Sequence, residues 1–166
     1  MIRMLAAMLF PVLAPLQDSA ALTRVLACQL PVTEAIELAR KVPVHRSRDD
    51  SESGAIETTN FYSGAGVTVL GMPVRSAASS IFIEDRMTEI AFAARLDGTF
   101  ADMSALLLRH YRASQCLSTQ SPRGAPVCLL HLRSETLEDT LLDVDVQISE
   151  VGGRVQFECL YGTNGH

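Results

Sequence analysis

A chain of 166 residues with a formal charge of -5, no tryptophan and 5% aromatic residues lacks the basic patch that nucleic acid or an anionic membrane surface calls for. It also offers little for stacking sugars or single-stranded bases. Its length suits one ordinary domain built around one core.

The first 21 residues, MIRMLAAMLFPVLAPLQDSAA, carry Arg3, then an uncharged run from Met4 to Leu16, then small residues at Ser19, Ala20 and Ala21. That layout is expected of a secretory leader, cleaved after Ala21. A bilayer span needs about 20 apolar residues, and Pro11 and Pro15 interrupt this run, so it is not expected to cross the membrane. The expected organisation is a leader at 1–21 and one domain at 22–166. Val25-Leu26-Ala27-Cys28 resembles a degenerate lipidation box, but Asp18 and Arg24 separate it from the apolar run. Lipidation of Cys28 would also leave an odd number among Cys116, Cys128 and Cys159, whereas an oxidising compartment favours two disulfides. Cys116 and Cys128 flank a Ser/Pro/Gly-rich loop and are expected to staple it. Cys28 and Cys159 would then tie the start of the domain to its last strand.

From 31 to 41, PVTEAIELARK places Val32, Ala35, Ile36 and Ala39 at helical spacing, with Pro31 at the start and Arg40 and Lys41 at the end. The polar segment 45–54, HRSRDDSESG, reads as a solvated loop. Strands are expected at 55–62 and 66–72. A hairpin should follow from 79–83 and 87–96 about the polar turn 84–86. In its second arm Ile90, Phe92, Ala94 and Leu96 share one face, and Glu89, Ala91, Ala93 and Arg95 the other. Thr99 with Asp102 then marks a helix start, and Phe100, Met103, Leu106, Leu107 and Tyr111 form an apolar stripe.

The segment 125–132, APVCLLHL, reads as an interior strand. In 141–162 Val144, Val146 and Ile148 alternate with Asp143, Asp145 and Gln147. After Gly152-Gly153, the residues Val155, Phe157, Cys159 and Tyr161 alternate with Gln156 and Glu158. The expected fold is α+β: an antiparallel sheet of about six to seven strands in hairpins, two helices packed on one face, stapled by disulfides.

No residue pattern points to a cofactor, metal or catalytic machinery. Asp49, Ser51 and Ser53 alternate before Gly54 as in a calcium loop, but Asn60 stands where a bidentate Glu belongs. Glu135, Glu138, Asp139, Asp143 and Asp145 concentrate negative charge, as solvated faces do. His45, His110, His131 and His166 share no ligand spacing, and His131, in an apolar strand, reads as a core histidine. Gly64-Ala65-Gly66 reads as a turn, since no helix start follows it.

The reading that fits is a secreted or periplasmic, non-enzymatic module that binds another protein, such as an inhibitor or envelope accessory protein. Its binding surface is expected on the sheet face opposite the helices, at Ala91, Ala93, Arg95, Asp143, Asp145, Glu158 and Leu160. Two alternatives stand beside it. One is a secreted hydrolase whose site, with His131 and the acidic residues, assembles only on folding. The other is a membrane-anchored assembly factor lipidated at Cys28.

Overall fold

The computed structural model describes residues 19–41, 46–50, 55–84, 87–120 and 124–163. Among the described residues three helices, α1 (Ser19–Leu26), α2 (Val32–Lys41) and α3 (Phe100–His110), accompany nine strands. These are β1 (Arg46–Asp50), β2 (Ala55–Ser63), β3 (Thr68–Val69), β4 (Met72–Glu84), β5 (Met87–Leu96), β6 (Ser118–Gln120), β7 (Pro126–Leu137), β8 (Thr140–Val151) and β9 (Arg154–Thr163). They pair antiparallel in the order β1-β2-β4-β5-β9-β8-β7-β6, with β3 joined to β4 off that path. The α+β class and the antiparallel hairpins are as expected; the numbers of elements are larger.

Each extra element has a local reason. β1 runs through the polar segment read as a loop, and pairs with β2 at the sheet edge, where charged residues are tolerated and discourage pairing with other chains. The strand expected at 66–72 is divided, because Leu70 and Gly71 adopt positive φ (51° and 79°) and reverse the chain so that Val69 faces Met72. β6 forms inside the stapled loop, against the start of β7. β7 continues beyond residue 132 to a turn at Glu138-Asp139, both with positive φ (45° and 67°). The turn expected at 84–86 includes Asp85 and Arg86, which lie outside the described residues, as do Ser51 and Ser53. Asp49 is in β1, opposite Ile56.

Alternation on the central strands has the expected phase. Ile90, Phe92, Ala94 and Leu96 are buried on β5, Leu142, Val144, Val146 and Ile148 on β8, and Val155, Phe157, Cys159 and Tyr161 on β9. Gly152 and Gly153 close the β8–β9 hairpin with φ of 60° and 72°, the pair of left-handed positions that a two-residue turn matched to strand twist requires. Gly64 is fixed by proximity: a Cβ there would lie 2.2 Å from the Val74 carbonyl oxygen.

Helix α3 begins as its sequence implies. Thr99 is extended (φ -95°, ψ 154°), its hydroxyl accepts from the Asp102 amide at 3.2 Å and donates to the Asp102 carboxylate at 2.7 Å. Met103 and Leu107 are buried, and Phe100, Leu106 and Tyr111 pack beside them.

The N-terminal part of the domain contains the element that sequence alone obscured. Helix α1 spans the expected cleavage junction, and Leu22, Val25 and Leu26 are at most 1% exposed. It lies against β5 and β9, while α2 approaches β4 and β7 and α3 approaches β8. The last turn of α1 is closed by backbone amides, from Ala27 to Thr23, Gln29 to Arg24 and Cys28 to Val25, whereas the carbonyls of the connection to α2 would be orphaned by burial and are met by side chains from elsewhere in the chain. Tyr111 donates to the Ala27 carbonyl at 2.9 Å, Tyr161 to the Leu30 carbonyl at 3.0 Å, and Arg133 to the Cys28 and Leu30 carbonyls at 2.6 and 2.9 Å. Arg133 also pairs with Glu135 at 2.6 Å, whose other oxygen accepts the Val32 amide at 2.7 Å, at the start of α2. This clasp exists because β7 bulges between His131 and Arg133, a shift that changes which residues face the helices. Burial raises the phenols of Tyr111, to about 12, and Tyr161, with the Arg133 charge opposing in both cases.

Both disulfides have the expected connectivity. Cys28 bonds Cys159 across a sequence separation of 131, and Cys116 bonds Cys128 across 12. With its sulfur in that bond and 2% exposure, Cys28 offers no thiol for lipid attachment.

Candidate functional site

Strand register gathers the expected face residues into adjacent rows. Ala91 lies opposite Leu160, which lies opposite Asp145, and Asp145 opposite His131. In the next row Ala93, Glu158, Gln147 and Leu129 follow one another from β5 to β7. Arg95, Gln156, Ser149 and Val127 form a third. On the far side of β5 the first two rows continue through Ser80 and through Ala78 to Phe61. Residues distant in sequence thus share one surface because the alternation of β5, β8 and β9 is in phase.

The surface has two halves of different chemistry. On β2, β4 and β5 it presents Phe61, 56% exposed, with the small side chains of Ala78, Ser80 and Ala93. On β9, β8 and β7 it carries polar groups bonded to one another, set among Leu160, Leu129 and Val127. Glu158 accepts from Gln156 at 2.6 Å and from Gln147, and Asp143 accepts from the Ser134 hydroxyl at 2.7 Å. The His131 ring nitrogen Nδ1 lies 2.9 Å from the Asp145 carboxylate.

Three expectations need revision. Ala91 is only 9% exposed, since Ser80 and Leu160 flank it on the neighbouring strands; Ala93 is the more open of the two. His131 is no core residue: its side chain is 42% exposed, on the solvent side of β7 just before the bulge. The acidic concentration is divided as well. Glu135 belongs to the clasp, Glu138 and Asp139 form a turn, and only Asp143 and Asp145 share the face.

The sequence reading missed Phe61, Ala78 and Ser80. Phe61 and Tyr62 are adjacent aromatics in one strand, and nothing local says which points inward. The structure buries Tyr62, 2.9 Å from the Ser79 hydroxyl, and that fixes the phase of β2 and β4. Among the described residues no group of three His, Cys, Asp or Glu could hold a metal ion, and no helix is long and apolar enough to cross a membrane. No family model matches the chain, and no curated protein or solved structure is significantly similar to it.

Proposed function

We propose that the protein is a secreted or periplasmic, non-enzymatic module that binds another protein through the sheet face around Ala93. All three helices cover the opposite face on this reading. Its support is that Cys159, Tyr161 and Arg133, on two different strands, all bond to the α1–α2 segment. The observation that carries the proposal is the composition of the other face: small side chains at Ala78, Ser80 and Ala93 beside exposed Phe61, bordered by fixed polar groups. Small residues let a partner approach the sheet closely, and an apolar centre inside a polar rim is the anatomy of a protein interface.

Export rests on the leader-like segment 1–21 and on two disulfides, which persist in oxidising compartments. Because Leu22 is packed in the core within α1, removal of the leader after Ala21 precedes docking of that helix. The intact mass of the native protein tests this: a start at Leu22 with four hydrogens fewer than the reduced chain is expected, and any other start refutes the cleavage site.

The binding proposal is tested by Ala93→Glu in a pull-down from envelope extract. The variant keeps its circular dichroism spectrum and loses the partner that the parent retains; retained binding removes this face. The hydrolase reading keeps one point of support, the His131–Asp145 pair, which has the geometry of a base and its orienting carboxylate. His131→Ala abolishing an ester- or peptide-cleaving activity would favour it.

A further inference from the structure

The two halves of the sheet face specify more than an interface: they specify the charge of what docks there. Resting on the binding face proposed above, we infer that the partner is a protein whose docking surface has an apolar centre flanked by lysine or arginine.

The argument lies in how the carboxylates are held. Glu89, Asp143, Asp145 and Glu158 project on this face from β5, β8 and β9, against two arginines, Arg95 and Arg154, at the other end of the same strands, and His131 beside Asp145. Gln147 and Gln156 on Glu158, and Ser134 on Asp143, are neutral donors. They fix the carboxylate oxygens in place without cancelling their charge. Preset acceptors of this kind favour a cationic donor, because the geometry of a charge-assisted hydrogen bond is already formed before binding. Strands lie about 4.8 Å apart, so Ala93 on β5, Glu158 on β9 and Gln147 on β8 span roughly 10 Å, the width of one helix with its side chains. One amphipathic element can therefore place its apolar stripe over Ala78 and Ala93 and its basic flank over Glu158 and Asp143. A second copy of this chain fits poorly, since the acidic halves would meet or would face small apolar residues.

The probes are a helical Leu/Lys amphipathic peptide and its Leu/Glu counterpart, titrated against the whole protein at low salt. The Leu/Lys peptide binds and the Leu/Glu peptide does not, and added salt weakens the complex. Asp143→Asn with Glu158→Gln weakens Leu/Lys binding about tenfold, as expected for two partly buried charges. Glu34→Gln with Glu37→Gln, the same change in net charge on exposed positions of α2, leaves it within about twofold. Equal weakening by both pairs, equal binding of both peptides, or no binding of the Leu/Lys peptide overturns the inference. The neutral change Ala93→Gln separates the two proposals. If it abolishes binding of both peptides alike, the face stands and its charge preference falls. If it changes nothing while the peptides bind, the face itself is wrong.

Discussion

Replacing Arg133 by alanine should cost more stability than any other single charge change among the described residues. The guanidinium serves three acceptors: the Cys28 carbonyl at 2.6 Å, the Leu30 carbonyl at 2.9 Å and Glu135 at 2.6 Å. Leu30 keeps a donor in Tyr161, so the loss falls on Cys28 and on Glu135, whose side chain is 19% exposed. A hydrogen bond to a charged group contributes about 1.5–3 kcal/mol, and stranding a buried charge costs roughly 3–5 kcal/mol. Arg133 itself is 35% exposed, and solvent screening reduces both figures. An overall loss of about 3 kcal/mol is therefore expected. Urea unfolding followed by circular dichroism, with disulfides intact, measures it. Arg75→Ala is the reference: the Arg75–Asp97 pair has a similar 2.8 Å contact but exposures of 71% and 62%, and its loss should cost far less because solvent screens it. Adding Glu135→Ala to Arg133→Ala should recover part of the loss, because the stranded carboxylate is gone. If Arg133→Ala costs no more than Arg75→Ala, the clasp does not hold α1 to the sheet, and the account of the N-terminal layer fails.

Cys116→Ser with Cys128→Ser opens a loop of sequence separation 12 and should cost roughly 3 kcal/mol while leaving the sheet spectrum unchanged; unfolding at room temperature would show the loop to be part of the core. Glu138→Asn with Asp139→Gly puts residues that tolerate positive φ where φ is 45° and 67°, and should raise the unfolding free energy measured in urea by about 1 kcal/mol. Burial raises the phenols of Tyr62, Tyr111 and Tyr161 above their ordinary value of 10.0. An acid whose folded pKa is raised contributes stability that is full below about pH 10 and is lost as pH climbs beyond it. For Tyr111 the loss extends through about 12. Tyrosinate absorbance should therefore appear cooperatively with loss of structure above pH 10; Tyr111 or Tyr161 titrating at its ordinary value in the folded protein would contradict the buried clasp.

Much of the sheet was legible because its central strands obey one rule. On β5, β8 and β9 every second residue is apolar, and two glycines mark the tightest turn. Thr99 and Asp102 announce α3 in the same local way. What escaped depends on partners far along the chain. The phase of β2 is decided by Tyr62 meeting Ser79, and the turn at Glu138-Asp139 uses residues that do not advertise positive φ. Arg133 and Glu135 look like surface charges until a bulge turns them toward α1. His131 sits in a run of apolar residues, yet is set on the open side by strand parity. Helix α1 was hidden for another reason: its small and apolar residues satisfy both a leader junction and a core helix, and local pattern cannot separate the two. The sheet face around Ala93 was readable as a set of alternating residues, whereas which of them adjoin across the strands required the strand order.

The bond between Cys28 and Cys159 has a mechanical consequence. A pull applied at the two ends of the chain reaches Cys28 from one side and Cys159 from the other, and passes directly through the covalent link. The intervening stretch, with a sequence separation of 131, carries no load. At about 3.5 Å per residue, roughly 450 Å of chain stays out of reach of the force. Eight of the nine strands and most of β9 would thus survive tension that peels off α1, and only a reductant would let the sheet be drawn out.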